Sequence, residues 1–213
     1  VYALDLDGFG YSERRGPSSL AEWADQVEGF AGALDLKRPA VVGHSLGAAV
    51  ALEVARQGKA SRIVLLDGDG LSVGGPPHWV RNVLVRLPFL TTALRLAPKA
   101  GWAVRRILAN AYGPRHPKLD STEVSRWTDQ LRATGARAGL QRVAVNGLAG
   151  FTRPELQKLK VRARVVWGAD DKVDSPDAGR ASAADLRAPF VEIPGAGHLS
   201  MLTAPAAVAA AIG

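Results

Sequence analysis

Ser45 lies between two glycines in the segment Gly43-His44-Ser45-Leu46-Gly47. An apolar run, Pro39 to Val42, precedes this segment, and small residues that favour a helix follow it. A strand, a sharp turn and a helix in this order typically raise a serine hydroxyl above the end of a sheet as a nucleophile. Such a tight turn predicts that glycine is needed at both 43 and 47, because a Cβ at either position would clash. The amide of Leu46 would point into the same space and could stabilise an oxyanion.

The same segment has a simpler interpretation. In an ordinary glycine-rich turn between a strand and a helix, Ser45 would only cap the N-terminus of the helix. We favour the nucleophile, because the strand before the serine and the small-residue helix after it are both present. His44 is adjacent, but neighbouring side chains on a tight turn point apart, so we predict a packing role for His44 rather than that of a base.

A serine nucleophile needs a base to take its proton, and that base needs a group to orient it. Asp171 follows a predicted strand that ends at Trp167, and His198 follows the last predicted strand. Because the carboxyl ends of parallel strands meet at one edge of a sheet, both side chains are expected near Ser45. The three residues occur in the order serine, acid, histidine.

Other aspartates are alternative acids. Asp170 and Asp174 are close to Asp171, and Asp67 ends an earlier predicted strand. The aspartates between 170 and 174 lack the glycine and glutamate spacing of a calcium loop. The four histidines, at 44, 78, 116 and 198, are too dispersed to predict a metal cluster. The chain contains no cysteine, and we find neither a P-loop nor a G-x-G-x-x-G fingerprint.

Strand and helix patterns alternate at both ends of the chain. Helices are predicted from Leu20 after a capping box at Ser19 and Glu22, from about 176 to 186, and from Pro205. Alternation of this kind predicts an α/β fold with a mostly parallel sheet and flanking helices. The predicted strands are Val1–Leu6, Pro39–Val42, Arg62–Asp67, Ala163–Trp167 and Phe190–Ile193.

The alternation stops between residues 71 and 150. Helices are predicted there at 78–90, 92–96, 102–112 and 122–148, so we predict a helical cap inserted into a core formed by 1–70 and 151–213. This segment carries twelve Lys or Arg against three acids, in a chain whose net charge is +7. We interpret it as an amphipathic cap with solvated arginines. The alternative is an apolar tunnel whose basic exterior makes weak contact with anionic membranes. No nucleic-acid recognition motif accompanies the charge.

The motifs together resemble those of the α/β-hydrolase family, especially its lidded, esterase-like members. Asp5-x-x-Gly8-x-Gly10-x-Ser12 is similar to the fourth strand of the family and its turn, and 43–47 to its nucleophile elbow. Trp167–Asp171 is similar to the acid loop, and Gly197-His198 to the histidine loop.

The resemblance implies Ser45 as nucleophile, His198 as base, Asp171 as acid and the Leu46 amide as an oxyanion donor, with no cofactor. It implies a serine hydrolase acting on a small-molecule acyl substrate, with a carboxylic ester as the first expectation. C–C bond hydrolases, perhydrolases, amidases, acyltransferases and non-catalytic ligand-binding members share the fold and stay open as alternatives. Serine rather than aspartate at position 45 argues against a dehalogenase or an epoxide hydrolase.

One part of the family pattern has no counterpart in this sequence. The family has three strands before the one that Val1–Leu6 resembles, and a loop after the third gives a second oxyanion donor. We therefore expect an N-terminally truncated fold, whose activity is weak at best, because losing one such donor costs about 2.7–4 kcal/mol. A cytoplasmic location is the default expectation, and a lost signal peptide leaves secretion open.

Overall fold

The computed structural model describes residues 1–13, 19–71, 101–129 and 150–213. Within these ranges, four parallel strands form one sheet in the order β1-β2-β3-β4, so each strand lies beside its neighbour in sequence. The predicted α/β fold with a parallel sheet is confirmed. The strands are β1 (Ala40–His44), β2 (Arg62–Leu66), β3 (Arg162–Gly168) and β4 (Phe190–Ile193).

Helices precede, connect and follow these strands. The predicted capping box begins α1, where Ser19 Oγ accepts a hydrogen bond from the Glu22 amide and the Glu22 carboxylate accepts one from the Ser19 amide. The sequence patterns missed α5, a helix of six residues, because it is too short to show a periodicity. The helices are α1 (Leu20–Ala33), α2 (Leu46–Arg56), α3 (Gly101–Tyr112), α4 (Ser121–Thr128), α5 (Arg153–Lys158), α6 (Pro176–Asp185), α7 (Ser200–Thr203) and α8 (Pro205–Ile212).

Both faces of the sheet are covered, and alternate residues of each strand serve different faces. In β2, Ile63 and Leu65 join the larger core, which includes residues of α1, α2, α5 and α6. Val64 and Leu66 point the other way and join a smaller core with Val208 of α8. The carboxyl ends of the strands are thereby fixed from both sides.

The predicted strand at Val1–Leu6 is wrong, because these residues are not part of the sheet. In a strand, the backbone carbonyl of Asp5 would accept a hydrogen bond from a neighbouring strand. Here it accepts hydrogen bonds from two side chains instead, Ser12 Oγ at 2.5 Å and Gln26 Nε2 at 3.3 Å. The Asp5 carboxylate in turn accepts a bond from the Tyr11 amide. The glycine-rich turn therefore folds back onto the segment in place of a neighbouring strand.

The described part of the segment between 71 and 150 contains two helices joined by an irregular stretch. The observed α3 agrees with the helix predicted at 102–112, and α4 covers the start of the one predicted at 122–148. The remainder of that helix and those predicted at 78–90 and 92–96 lie outside the described residues. A parallel bridge joins Leu71 to Phe151, so the two ends of the segment meet. The division into core and cap stays a prediction.

Helix α3 has one buried and one exposed side. Leu108 and Tyr112 on one face of α3 are buried against Leu199, whereas Trp102 and Ile107 on the other side are exposed. Within the described ranges, every helix is too short or too polar to cross a membrane.

Candidate active site

Ser45 occupies a strained turn between β1 and α2. Its φ of 53° and ψ of −120° are rare for a residue other than glycine. The turn is fixed by the Ser45 amide, which donates to the Leu66 carbonyl at 3.0 Å, and by the Ser45 carbonyl, which accepts from the Ala48 amide. The Ser45 side chain makes no capping bond to α2. The interpretation of this serine as a helix cap therefore lacks the hydrogen bond that defines it.

Of the predicted glycine pair, only one is needed for the close approach at this turn, and one further glycine contributes to it. A Cβ on Gly43 would lie 2.0 Å from the Gly47 carbonyl oxygen, so glycine is needed there. A Cβ on Gly47 would meet nothing within 4 Å, so the prediction for that position is wrong. Only one partner of a close contact must lack a side chain, and here that partner is Gly43. The sequence patterns missed Gly68, whose Cβ would lie 2.5 Å from the Ser45 carbonyl oxygen.

The structure brings together the three side chains that the sequence singled out. His198 Nδ1 lies 2.8 Å from Asp171 Oδ2, and His198 Nε2 lies 3.0 Å from Ser45 Oγ. Because a carboxylate only accepts hydrogen bonds, this network assigns the proton to Nδ1 and leaves Nε2 to accept the serine proton. The Asp171 side chain is fully buried, and its second oxygen accepts from the amides of Val173 and Asp174.

The alternative acids lie elsewhere. Asp170 is exposed, and Asp174 is half-buried with its pKa raised by burial and by the charges of Asp69 and Asp171. Asp67 is buried at the end of β2, where its carboxylate accepts from the Gly168 amide and from Ser200. The hydrogen bond from His198 goes to Asp171.

The surroundings of His198 favour its protonated form. Burial opposes the charge, but the hydrogen bond and charge of Asp171, with smaller contributions from Asp67 and Asp174, hold the pKa of His198 above its usual value. An imidazole of raised basicity is a stronger acceptor for the serine proton.

His44 has a contact that its predicted packing role did not include. Its Nε2 donates to the His198 carbonyl oxygen at 2.7 Å, and the two rings lie 5.0 Å apart between centroids. Burial lowers the pKa of His44, and the hydrogen bond to the His198 carbonyl oxygen only partly opposes that shift. The residue before the serine thus connects the elbow to the histidine loop, which runs from residue 194 to Ser200 at the start of α7.

Helix α3 also contacts this loop. Carbonyls at the end of α3 accept hydrogen bonds from amides on either side of His198, with Gly197 donating to Tyr112 at 3.2 Å and Leu199 to Ala111 at 3.0 Å. Tyr112 is itself held by Glu123 of α4, whose carboxylate accepts from the tyrosine hydroxyl at 2.7 Å.

The remaining predicted group is the Leu46 amide. Leu46 is the first residue of α2, and the amides of a first helical turn have no partner within the helix. The helix dipole there favours a negative charge. Within the described ranges, no group of three or more His, Asp or Glu side chains is arranged to hold a metal ion.

Comparison with known proteins agrees with this architecture. The model of the alpha/beta hydrolase family matches residues 1–211. The chain therefore belongs to the alpha/beta hydrolase family.

Two solved structures resemble the chain over nearly all of its length. A hydrolase from Pseudomonas aeruginosa superposes with a TM-score of 0.75 at 25% identity, over 98% of this chain and 76% of that one. The enol-lactonase of Burkholderia xenovorans superposes with a TM-score of 0.72 at 25% identity, over 93% of this chain and 73% of that one.

Curated relatives match over shorter parts. An uncharacterized protein of Mycobacterium bovis is 28% identical over an alignment of 191 residues that covers 81% of this chain and 54% of that protein. The chain thus spans about half the length of this relative. A 2-hydroxymuconate semialdehyde hydrolase of Pseudomonas putida is 38% identical over an alignment of 76 residues that covers 34% of this chain and 27% of that enzyme.

Proposed function

We propose that the protein is a serine hydrolase that cleaves carboxylic esters of small to medium acyl groups through an acyl-enzyme. The observation that carries the proposal is the chain of two hydrogen bonds from Ser45 through His198 to Asp171, 3.0 and 2.8 Å long. A serine hydroxyl in this setting has a base within reach and a buried carboxylate that orients the base.

The first half of the reaction acylates the serine. Ser45 Oγ attacks the ester carbonyl carbon while its proton moves to His198 Nε2. The negative charge that develops on the carbonyl oxygen is stabilised by the Leu46 amide at the start of α2. As the C–O bond to the alcohol breaks, His198 returns the proton to the leaving oxygen.

The second half restores the enzyme. Water attacks the acyl-enzyme and gives a proton to His198 Nε2, and the bond to Ser45 Oγ then breaks as that oxygen takes the proton back. Asp171 stabilises the imidazolium in both halves and fixes the Nδ1 proton. The net change consumes one ester and one water and gives one acid and one alcohol.

C–C bond hydrolysis is the second candidate, and the partial match to a 2-hydroxymuconate semialdehyde hydrolase favours it. That match covers about a third of the chain, and the triad geometry fits both reactions. The non-catalytic alternative is a ligand-binding member of the family, which would bind a ligand near Ser45 without turning it over.

A substrate panel distinguishes these candidates. p-Nitrophenyl esters of increasing acyl length would be compared with a ketone analogue in which a methylene group replaces the ester oxygen. We expect ester hydrolysis to dominate and to fall by about 10⁴–10⁶-fold in Ser45→Ala. Ser61→Ala, which removes an exposed serine, is the matched control and should keep full activity.

Each other outcome assigns a different function. Faster cleavage of the ketone than of the esters would support the C–C hydrolase instead. Binding of the panel compounds with no turnover in the unmodified protein would support the ligand-binding rival. Ester hydrolysis that persists unchanged in Ser45→Ala would overturn the role of the serine.

A further inference from the structure

We propose that Asp67 is a positioning residue that joins the acid loop, residues 168–174, to the histidine loop and places a second negative charge near His198. The proposal rests on the proposed function, because these loops carry the acid and the base of the proposed triad. Asp67 is not a member of that triad, and it follows β2 directly.

The contacts of Asp67 reach both loops. Its Oδ1 accepts a hydrogen bond from the Gly168 amide at 2.7 Å, at the start of the acid loop. Its Oδ2 accepts from Ser200 Oγ at 2.5 Å and from the Ser200 amide at 3.3 Å, two residues after His198. One carboxylate thus fixes the separation of the two loops whose side chains meet in the Asp171–His198 hydrogen bond.

The backbone at this point reaches the third catalytic segment. The amide of Asp67 donates to the Val166 carbonyl, and its φ of 47° turns the chain sharply at the end of β2. The turn brings Gly68 against the Ser45 carbonyl, where a Cβ would lie 2.5 Å away. Asp67 and its neighbour therefore contact the elbow, the acid loop and the histidine loop together.

The carboxylate is also costly to keep charged at this place, since Asp67 has no exposed surface. Burial raises its pKa to about 6, although the bonds from Ser200 and Gly168 oppose the rise. The charged groups that act on it are Asp171, which raises its pKa further, and His198, which lowers it. Once ionised, Asp67 stabilises the His198 imidazolium that forms during proton transfer.

The test separates the charge of Asp67 from its hydrogen bonds. The pKa of His198 would be measured by NMR on protein with isotope-labelled histidine, with the His198 signal assigned from its absence in His198→Gln. The rate of covalent labelling of Ser45 by a fluorophosphonate would be measured on the same samples. The variants are Asp67→Asn, Ser200→Ala and, as a comparison for charge, Asp174→Asn.

We expect Asp67→Asn to lower the pKa of His198 by about 0.5–1 unit and to slow labelling by about 10–100-fold. Asp174→Asn should lower the pKa of His198 by less, because the charge of Asp174 contributes less to that pKa than the charge of Asp67 does. Ser200→Ala keeps the charge, so the pKa should stay near that of the unsubstituted protein while labelling slows about 10-fold.

Two results would overturn the proposal. The first is an unchanged pKa of His198 together with an unchanged labelling rate in Asp67→Asn. The second, which decides the matter if that variant does not fold, is an unchanged labelling rate in Ser200→Ala. The pKa measurement needs no turnover, so a protein that is never labelled at Ser45 would refute the proposed function separately.

Discussion

The elbow offers a matched pair of substitutions with opposite expected results, Gly43→Ala and Gly47→Ala. A Cβ on Gly43 would lie 2.0 Å from the Gly47 carbonyl oxygen and 2.4 Å from its carbon, both of them backbone atoms. Ordinary contact begins at 3.4 Å, so the end of β1 and the start of α2 must separate by about 1.4 Å. A Cβ on Gly47 would enter open space.

These distances set the expected magnitudes. Overpacking at Gly43→Ala should lower the free energy of unfolding by about 1–3 kcal/mol. Because the displaced segment carries Ser45, a shift of about 1 Å should also slow acylation roughly 10²-fold. Gly47→Ala should leave the rate unchanged and raise stability by up to about 1 kcal/mol, since alanine loses less backbone entropy than glycine in a helix.

Urea denaturation would measure both stabilities, and the rate of fluorophosphonate labelling at Ser45 would measure the geometry of the elbow. The reasoning fails if Gly47→Ala is as damaging as Gly43→Ala. It fails equally if Gly43→Ala folds and reacts like the unsubstituted protein.

Three further predictions follow from the site. The rate of Ser45 labelling should rise with pH through the pKa of His198, with a midpoint above 6.5, because only the neutral imidazole accepts the serine proton. The midpoint should fall in Asp171→Asn, which removes the charge that raises this pKa. A pH–rate profile that does not shift in this variant would contradict the prediction. His44→Leu removes the hydrogen-bond donor to the His198 carbonyl and should slow labelling of Ser45 about 10-fold. His44→Gln keeps a donor and should recover part of the rate. Equal rates in the two variants would argue against a role of His44 in positioning His198. Burial raises the pKa of Asp67 from 3.8 to about 6, so between these pH values the native state holds a proton that the unfolded state releases. The free energy of unfolding should therefore fall by up to roughly 3 kcal/mol as the pH rises from about 4 to 6. Urea denaturation across that range should show a smaller fall in Asp67→Asn.

The sequence predicted those parts of the fold that have a local periodic signal. All four strands of the sheet were predicted within a few residues, because buried parallel strands appear as short apolar runs. Val1–Leu6 has the same kind of composition but does not form a strand. Composition does not reveal whether a partner strand is present, nor that Ser12 and Gln26 occupy the Asp5 carbonyl.

The residues of the candidate site were also predicted only in part. Ser45, Asp171 and His198 were predicted because their types, order and positions after strands are visible in one dimension. The roles of His44 and Asp67 were not predicted, since each contacts a loop more than 100 residues away along the chain. The error at Gly47 has a similar origin. The motif indicates the positions at which glycine is expected, whereas only the three-dimensional structure shows which of these glycines is in close contact.

The account depends on Ser45 being a nucleophile activated by His198. The most direct measurement is the mass of the peptide that contains Ser45 after treatment with a fluorophosphonate at pH 8. We predict one probe per chain on Ser45, no labelling in Ser45→Ala and labelling at least about 10³-fold slower in His198→Gln. A protein that stays unmodified, or one that is modified equally fast without the histidine, would contradict the account.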